Sequence, residues 1–324
     1  MPILITGVEG FLGTRLATLL HDSGEQVVGL DVQASLAPRP WPVIVGDVTD
    51  RTFVEQLFAE HDVTSVVHAG GVSGPHICNN FPASVFEVNV LGTLNLFEAA
   101  RNRKLPGRIV FLSSSSVYGQ AAEKASCETP VVERLPLLAS EPYGASKVSC
   151  EAMLRAYAAQ ENIDAVSLRI SIVYGAGRTA YCGISEMFKA ALASQPILLD
   201  AGCDTPLPWV YVDDVCNAIQ TALIVPRAAI RETGTLAYNV TGPGYPTFRE
   251  IAALVQELVP TATIQETSDP DKYAMNARKM SLVTIERDLS WSPQVEIRRG
   301  VALLFNNFAK QHESQSAERA PLLA

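Results

Sequence analysis

The chain has 324 residues, 48% of them hydrophobic and 18% charged, with a formal net charge of −9. That length suits one large α/β domain or a domain with a smaller cap, and the apolar fraction excludes disordered and collagen-like chains. The acidic balance argues against neutralising a phosphate backbone, and no apolar run approaches the about 18 residues of a membrane helix, so neither a nucleic-acid nor a membrane partner is expected.

The opening, Met1-Pro2-Ile3-Leu4-Ile5-Thr6-Gly7, lacks a basic run ahead of its apolar residues, and no signal peptide is expected. Cysteines at 78, 127, 150, 182, 203 and 216 form no CxxC pair, which points to a reducing, cytoplasmic location. Histidines at 21, 61, 68, 76 and 312 form no HxxxH or HExxH set, so no metal site is expected.

Ile3–Thr6, Gln26–Asp31, Ser65–His68 and Arg108–Ser113 are short apolar runs of the kind found in strands buried on both faces. Between them Gly10–His21, Asp50–Glu60 and Pro82–Arg103 carry apolar residues at helical spacing, the last with Val85, Val88, Leu91, Leu94 and Ala99 as its inward stripe. Strand, helix and strand in this rhythm predict βαβ units and a Rossmann-like, doubly wound parallel sheet of the α/β class. Further on, Pro142–Gln160 reads as a helix, Ala165–Ile170 as a strand, Ile184–Ser194 as a helix and Val210–Val225 as another. Thr247 with Glu250 is a capping box opening the helix Thr247–Leu258. Residues 313–324 read as a frayed tail.

Gly7-Val-Glu-Gly10-Phe11-Leu12-Gly13 lies where the first strand passes into the first helix. Glycine there permits a tight turn and close approach of a pyrophosphate, which exposed N–H groups at the helix start can bind. Asp31 ends the second strand, where a carboxylate accepts ribose hydroxyls and repels a 2′-phosphate, so NAD is favoured over NADP. Asp47 and Val48 follow the third strand and are expected beside the adenine; Asp50 suits a helix N-cap. Ala69-Gly70-Gly71 gives a second close backbone approach after the fourth strand, whereas His68 reads as a packed strand residue. Ser113-Ser114-Ser115-Ser116-Val-Tyr118-Gly119 places hydroxyls at the sheet's carboxyl edge. Tyr143-Gly-Ala-Ser-Lys147 then sets phenol and ammonium one helical turn apart, and a nearby cation favours phenolate, so the phenol can move a substrate hydroxyl proton while hydride moves at the attached carbon.

Taken together, TGVEGFLG, GDVTD, HAGG, VNVLGT, LSSSSVYG, YGASK, LRISIVYG, WVYVDDV, YNV and LSWSPQVEIRRGV resemble the extended short-chain dehydrogenases/reductases, in the NAD-dependent epimerase/dehydratase group, over roughly residues 1–310. The resemblance implies an NAD-binding Rossmann domain over 1–168 and a smaller C-terminal substrate-binding domain over 169–312, with about 208–240 returning to the first, and a homodimer. It implies Ser114 as the catalytic hydroxyl, with Ser115 as the fallback, and Tyr143 as the acid/base. By the same resemblance Lys147 holds the nicotinamide ribose and tunes Tyr143, and Asn89 supports the cofactor. Ser73, Ser115, Ser116 and Arg178 are substrate-facing candidates, and His76 is a further polar residue of the Ser73 loop. Arg178 is equally readable as a loop arginine.

Two positions depart from the pattern of nucleotide-sugar members. Ile172 stands where an Asn commonly contacts the diphosphate, and Leu207-Pro208 where an Arg is common. The reading is therefore an NAD-dependent oxidoreductase acting on a small hydroxylated substrate, such as a sugar, sugar acid or hydroxy acid. The alternatives are a sugar or nucleotide-sugar epimerase, like UDP-glucose 4-epimerase, with retained NAD, and a non-catalytic NAD(H)-sensing protein.

Overall fold

In the computed structural model, residues 1–73, 78, 80–123, 129–227, 236–270 and 278–319 are described; His76 and the end of the expected tail, 320–324, lie outside them. The chain divides into two compact units, one of residues 1–171, 215–240 and 280–292, the other of 172–214, 241–279 and 293–324.

The first unit is built on a seven-stranded parallel sheet, as the alternation of runs predicts. Its strands are β1 (Ile3–Thr6), β2 (Val27–Asp31), β3 (Val43–Val45), β4 (Ser65–His68), β5 (Arg108–Ser114), β6 (Asp164–Ile170) and Ala237–Val240, which the second unit's strands make β10 in chain order. The order β10-β6-β5-β4-β1-β2-β3 is doubly wound and reverses direction between β1 and β4. At such a reversal the loops leaving the two strands part, and the crevice beyond their carboxyl ends is where this architecture binds ligands. β1, β5 and most of β4 and β6 are buried, which explains their unbroken apolar runs. Leu4, Val28, Val66, Ile109 and Ala165 from the strands meet Val54, Phe58, Leu96, Phe97 and Leu154 from helices in one core cluster.

The stretch 82–103 departs from regular periodicity. It is helical throughout, yet Glu87–Leu91 forms a π-turn between the α-helices Pro82–Phe86 and Gly92–Arg103. The residue inserted by a π-turn shifts the helical phase. Leu91 of the expected inward stripe is consequently 42% exposed, whereas Asn89, Thr93 and Asn95 turn inward.

The second unit contains β7 (Ile172–Tyr174) paired in parallel with β9 (Trp209–Tyr211), and β8 (Ile197–Leu199) paired in parallel with β11 (Ile264–Glu266). The expected helix from Val210 is therefore corrected: the aromatic and β-branched run Trp209-Val-Tyr211 is a buried strand, and the helix spans Val212–Ile224. Trp209 and Tyr174 are core residues, their rings 6.1 Å apart and edge-on. The capping box forms as read, Thr247 Oγ1 accepting from the Glu250 N–H and the Glu250 carboxylate from the Thr247 N–H. The last helix runs Ile297–Arg319, so helical conformation extends past Glu313 into the segment read as a tail.

Candidate active site

β1 leads into the glycine turn at the sheet reversal. Gly7 has φ +67°, and a Cβ there would come within 2.7 Å of the Gly70 Cα, so only glycine lets the turns after β1 and β4 touch. A Cβ on Gly13 would lie 2.0 Å from the Gly7 carbonyl, which fixes the first helical turn against the glycine loop. Gly10 is the N-cap of the helix Phe11–Asp22 and supplies no side-chain cap. A Cβ there would meet nothing but the Gly7 carbonyl of its own turn. Uncapped N–H groups beside an open glycine fit the pyrophosphate of a dinucleotide. Asp31 ends β2, half-buried, with Oδ2 accepting from the Glu9 N–H at 3.0 Å and Oδ1 from the Gln33 N–H at 3.1 Å. Residues 7–13 and 31 thus fit NAD.

Of the third-strand turn, Asp47 is exposed and its carboxylate caps the Thr49 N–H at 2.9 Å, while Val48 is buried against Gly92. Asp50 is the N-cap of Arg51–Glu60, accepting from the Phe53 N–H at 3.0 Å.

His68, opposite Thr6 in the β1–β4 register, is 2% exposed. Its Nδ1 lies 2.7 Å from Thr6 Oγ1 and its Nε2 3.0 Å from Thr93 Oγ1. Thr93 spends its hydroxyl hydrogen on the Asn89 carbonyl, so it accepts from an Nε2–H, and Nδ1 accepts from the Thr6 hydroxyl. Thr6 Oγ1 in turn accepts from the Gly70 N–H at 3.0 Å. Burial, with the Lys147 charge adding to it, pushes the imidazole pKa down to about 3. His68 is therefore a neutral strut, the packed residue read from sequence, and it ties the glycine turns to the π-turn helix.

Asn89 continues this framework. Its Oδ1 accepts from the Val72 N–H at 2.8 Å, and its Nδ2 donates to the Val72 carbonyl and to Ser146 Oγ, each at 3.0 Å. Ser146 Oγ donates to the Tyr143 carbonyl at 2.7 Å. Asn89, expected beside the cofactor, is 2% exposed with both amide atoms committed to the protein. Its position in the π-turn joins Ala69-Gly70-Gly71-Val72 to the first turn of the helix Pro142–Gln160.

That helix carries Tyr143 and Lys147. Lys147 Nζ donates to the Leu112 carbonyl of β5 at 2.9 Å, lies 4.8 Å from the Phe111 ring centre and 5.9 Å from that of Tyr143. Burial lowers the ammonium pKa from its ordinary value, with Cys150, Cys78 and Glu151 opposing. Ser114 ends β5 and caps the following 3-10 turn Ser115–Val117, accepting from the Ser116 N–H and donating to Ser116 Oγ, each at 3.2 Å. Gly144 brings the two pieces together: a Cβ there would lie 2.6 Å from the Ser116 carbonyl. Ser115, Ser116 and Tyr143 are half-buried, and Ser73 is exposed.

A buried network behind these residues goes unread in the sequence. Glu151 accepts from Ser113 Oγ (2.7 Å), Ser167 Oγ (3.1 Å), and Arg169 Nε and Nη2, the last at 2.7 Å. Arg169 Nη1 also donates to Tyr118 Oη at 3.0 Å, and Tyr118 donates to Asn239 Oδ1 at 2.6 Å. Burial works against the Arg169 charge, but Glu151 and Tyr118 outweigh it and hold the guanidinium pKa above its ordinary value. The signal was present as an acid four residues after Lys147, on the same helical face, and an arginine inside a buried strand, since each buried charge requires a partner.

In the second unit, Arg178 Nη1 donates to the Val173 carbonyl at 3.1 Å, and Nε and Nη2 face the Tyr181 carbonyl at 3.4 Å, which is the loop-arginine geometry. Leu207 is fully buried and Ile172 half-buried.

A doubly wound sheet with a glycine turn at its reversal, an acid ending β2 and a Tyr–Lys helix beside a serine-ended strand defines a dinucleotide-dependent oxidoreductase of the extended short-chain type. Residues 3–240 match the NAD-dependent epimerase/dehydratase family, and the chain belongs to it. It is 26% identical to dTDP-glucose 4,6-dehydratase of Xanthomonas campestris over 329 residues, covering 93% of this chain and 91% of that protein. It is 27% identical to UDP-glucose 4-epimerase of Azospirillum brasilense, covering 92% and 89%. Thermus thermophilus UDP-glucose 4-epimerase, solved in complex with NAD, superposes with a TM-score of 0.83 at 28% identity, covering 95% of this chain and 99% of that one. The protein is thus an NAD-dependent enzyme. Among the described residues no helix is long and apolar enough to cross a membrane, and no group of His, Cys, Asp and Glu could hold a metal ion.

Proposed function

We propose that this enzyme oxidises or reduces a small hydroxylated substrate, a sugar, sugar acid or hydroxy acid, by hydride exchange with NAD. The observation that carries the chemistry is the placing of Lys147 Nζ 5.9 Å from the Tyr143 ring centre, with Gly144 seated on Ser116 next to Ser114. Residues 7–13, Asp31 and the Ala69–Gly71 turn would hold NAD, which when bound would supply the acceptor or donor of hydride. Ser114 donates a hydrogen bond to the substrate oxygen, turning away from Ser116 to do so. Tyr143 takes the hydroxyl proton as the carbon is oxidised and gives it back in reduction. Lys147 contributes its positive charge to the phenolate and donates to the nicotinamide ribose. Asn89 acts as a positioning residue between the two loops. Ser73, Ser115 and Ser116 face the substrate; Arg178 staples its own loop.

The small-substrate reading rests on Ile172 and Leu207, an alkyl chain each where nucleotide-sugar enzymes of this family commonly use an amide and a guanidinium. A second reading, epimerisation or dehydration of a nucleotide sugar with retained NAD, is favoured by the named activities of the relatives. Purified protein with NAD and a panel of aldoses, sugar acids, hydroxy acids, UDP-sugars and dTDP-sugars separates them. Steady NADH formation with a non-nucleotide substrate is the expected result. Turnover of a nucleotide sugar without net NADH establishes the second reading in its place. The enzyme is further assigned to the cytoplasm, on the five buried free cysteines among the described residues, and to a homodimer, on the family resemblance. Light scattering in solution checks the dimer.

A further inference from the structure

The segment after β2 is fastened to the glycine turn by a buried-edge ion pair that the NAD chemistry does not use. Arg39 forks onto the Glu9 carboxylate, Nε to Oε1 at 3.1 Å and Nη2 to Oε2 at 2.6 Å, and Ser35 Oγ donates to Oε1 at 2.8 Å. The side chains keep 25% (Arg39) and 11% (Glu9) of their surface. The Glu9 N–H is the same one that donates to Asp31 Oδ2. The pair therefore adjoins the carboxylate that ends β2, the position where an acid of this fold meets the adenosine ribose. Planar bidentate donation is also how arginine grips a phosphate. An unpaired Arg39 on the segment that follows Asp31 would offer that grip to a 2′-phosphate.

We propose that Glu9 is a cofactor-specificity residue: it occupies the Arg39 fork and cancels its charge, so that Arg39 is withheld from the 2′-phosphate of NADP. The inference rests on the NAD reading above and deepens it by adding a second element to Asp31. Asp31 repels the extra phosphate directly, whereas Glu9 removes the cation that would compensate for that repulsion. Arg39 holds the Glu9 carboxyl below its ordinary pKa, with Ser35 adding to the effect against burial, so the pair stays charged through neutral pH. Position 9 lies inside the glycine turn, so its backbone serves the turn while its side chain acts on the neighbouring loop.

Equilibrium titration of nucleotide-free protein with NAD+ and with NADP+ reads the effect directly, without turnover. Glu9→Gln keeps the shape and removes the charge. It is expected to raise the NADP+ to NAD+ affinity ratio by roughly 10-fold at low salt, with a smaller gain as ionic strength rises. Arg39→Ala leaves Glu9 unpaired and is expected to lower the ratio. Glu9→Gln combined with Arg39→Ala is expected to return it to near the parent value. Thermal melts confirm that each variant is folded. An unchanged ratio in Glu9→Gln, equal weakening toward both nucleotides, or a gain that persists without Arg39 each overturns the proposal, the second by showing that the pair only braces the loop. Parent protein that binds neither nucleotide fails the NAD reading instead, a result seen before any variant is made.

Discussion

Acid is expected to destabilise the first unit through His68. The imidazole is neutral and buried between Thr6 and Thr93, with its pKa pushed down to about 3 from an ordinary 6.5. Between those values the unfolded chain binds a proton that the native state refuses, so stability rises with pH across the window and falls as pH drops through 6.5. Linkage from the two values gives a loss of about 2 kcal/mol between pH 7 and pH 5 from this residue alone. Urea unfolding at pH 7, 6 and 5, for the parent and for His68→Gln, isolates the effect. The amide retains a donor and an acceptor but does not titrate. The variant is expected to start less stable at pH 7 and to lose less on acidification, the two curves converging by about 2 kcal/mol at pH 5. Parallel curves would show that His68 is not the group refusing the proton and would refute the neutral-strut argument. A His68 imidazole resonance, assigned by its loss in His68→Gln, that titrates near 6.5 in the folded protein would refute it independently.

Three further outcomes follow from the site. Tyr143→Phe is expected to bind NAD as the parent does while turnover falls by roughly 10²–10⁴, which calorimetry and steady-state kinetics separate. Glu151→Gln leaves the Arg169 guanidinium without a counter-charge and is expected to cost about 3 kcal/mol in urea unfolding. Restoring stability with a second change, Arg169→Met, would tie that loss to the stranded charge. Gly144→Ala places a methyl 2.6 Å from the Ser116 carbonyl, and the helix start must move to admit it. The expected cost is about 1–3 kcal/mol, with a larger fractional fall in kcat than in NAD affinity; unchanged kcat and melting temperature would remove the seat assigned to this glycine.

The sheet was legible because parallel strands buried on both faces write themselves as short unbroken apolar runs, and Ile3–Thr6 and Ser65–His68 are such runs. The turns between them were legible through glycine, whose demands are steric and local. Other features depend on partners distant in the chain. The π-turn at Glu87–Leu91 has no local sequence mark: the stripe Val85, Val88, Leu91 looks regular, and only burial shows that Asn89 and Thr93 replace Leu91 on the inner face. Trp209–Tyr211 followed by Val212–Ile224 reads as one apolar stretch because a three-residue buried strand and the first turn of a helix use the same residues. Glu151 and Arg169 went unread because each buried charge is explained only by the other, and their pairing is set by the packing of helix on strand.

The net charge of −9 ends with a different meaning from the one it suggests at first. An anionic dinucleotide needs local positive potential, and at the pyrophosphate the helix start after Gly10 and the backbone of the glycine turn can offer it without a lysine or arginine. Arg39 is neutralised by Glu9, whose own N–H donates to Asp31, so the net acidic charge and the paired arginine act in the same direction. Backbone donors there would grip the pyrophosphate that both dinucleotides share. Discrimination between them then falls to the groups around one ribose hydroxyl, where a single charge difference counts most. An enzyme that bound its nucleotide chiefly through surface lysines could not separate the two functions in this way, because every cation recruited for affinity would also welcome the second phosphate.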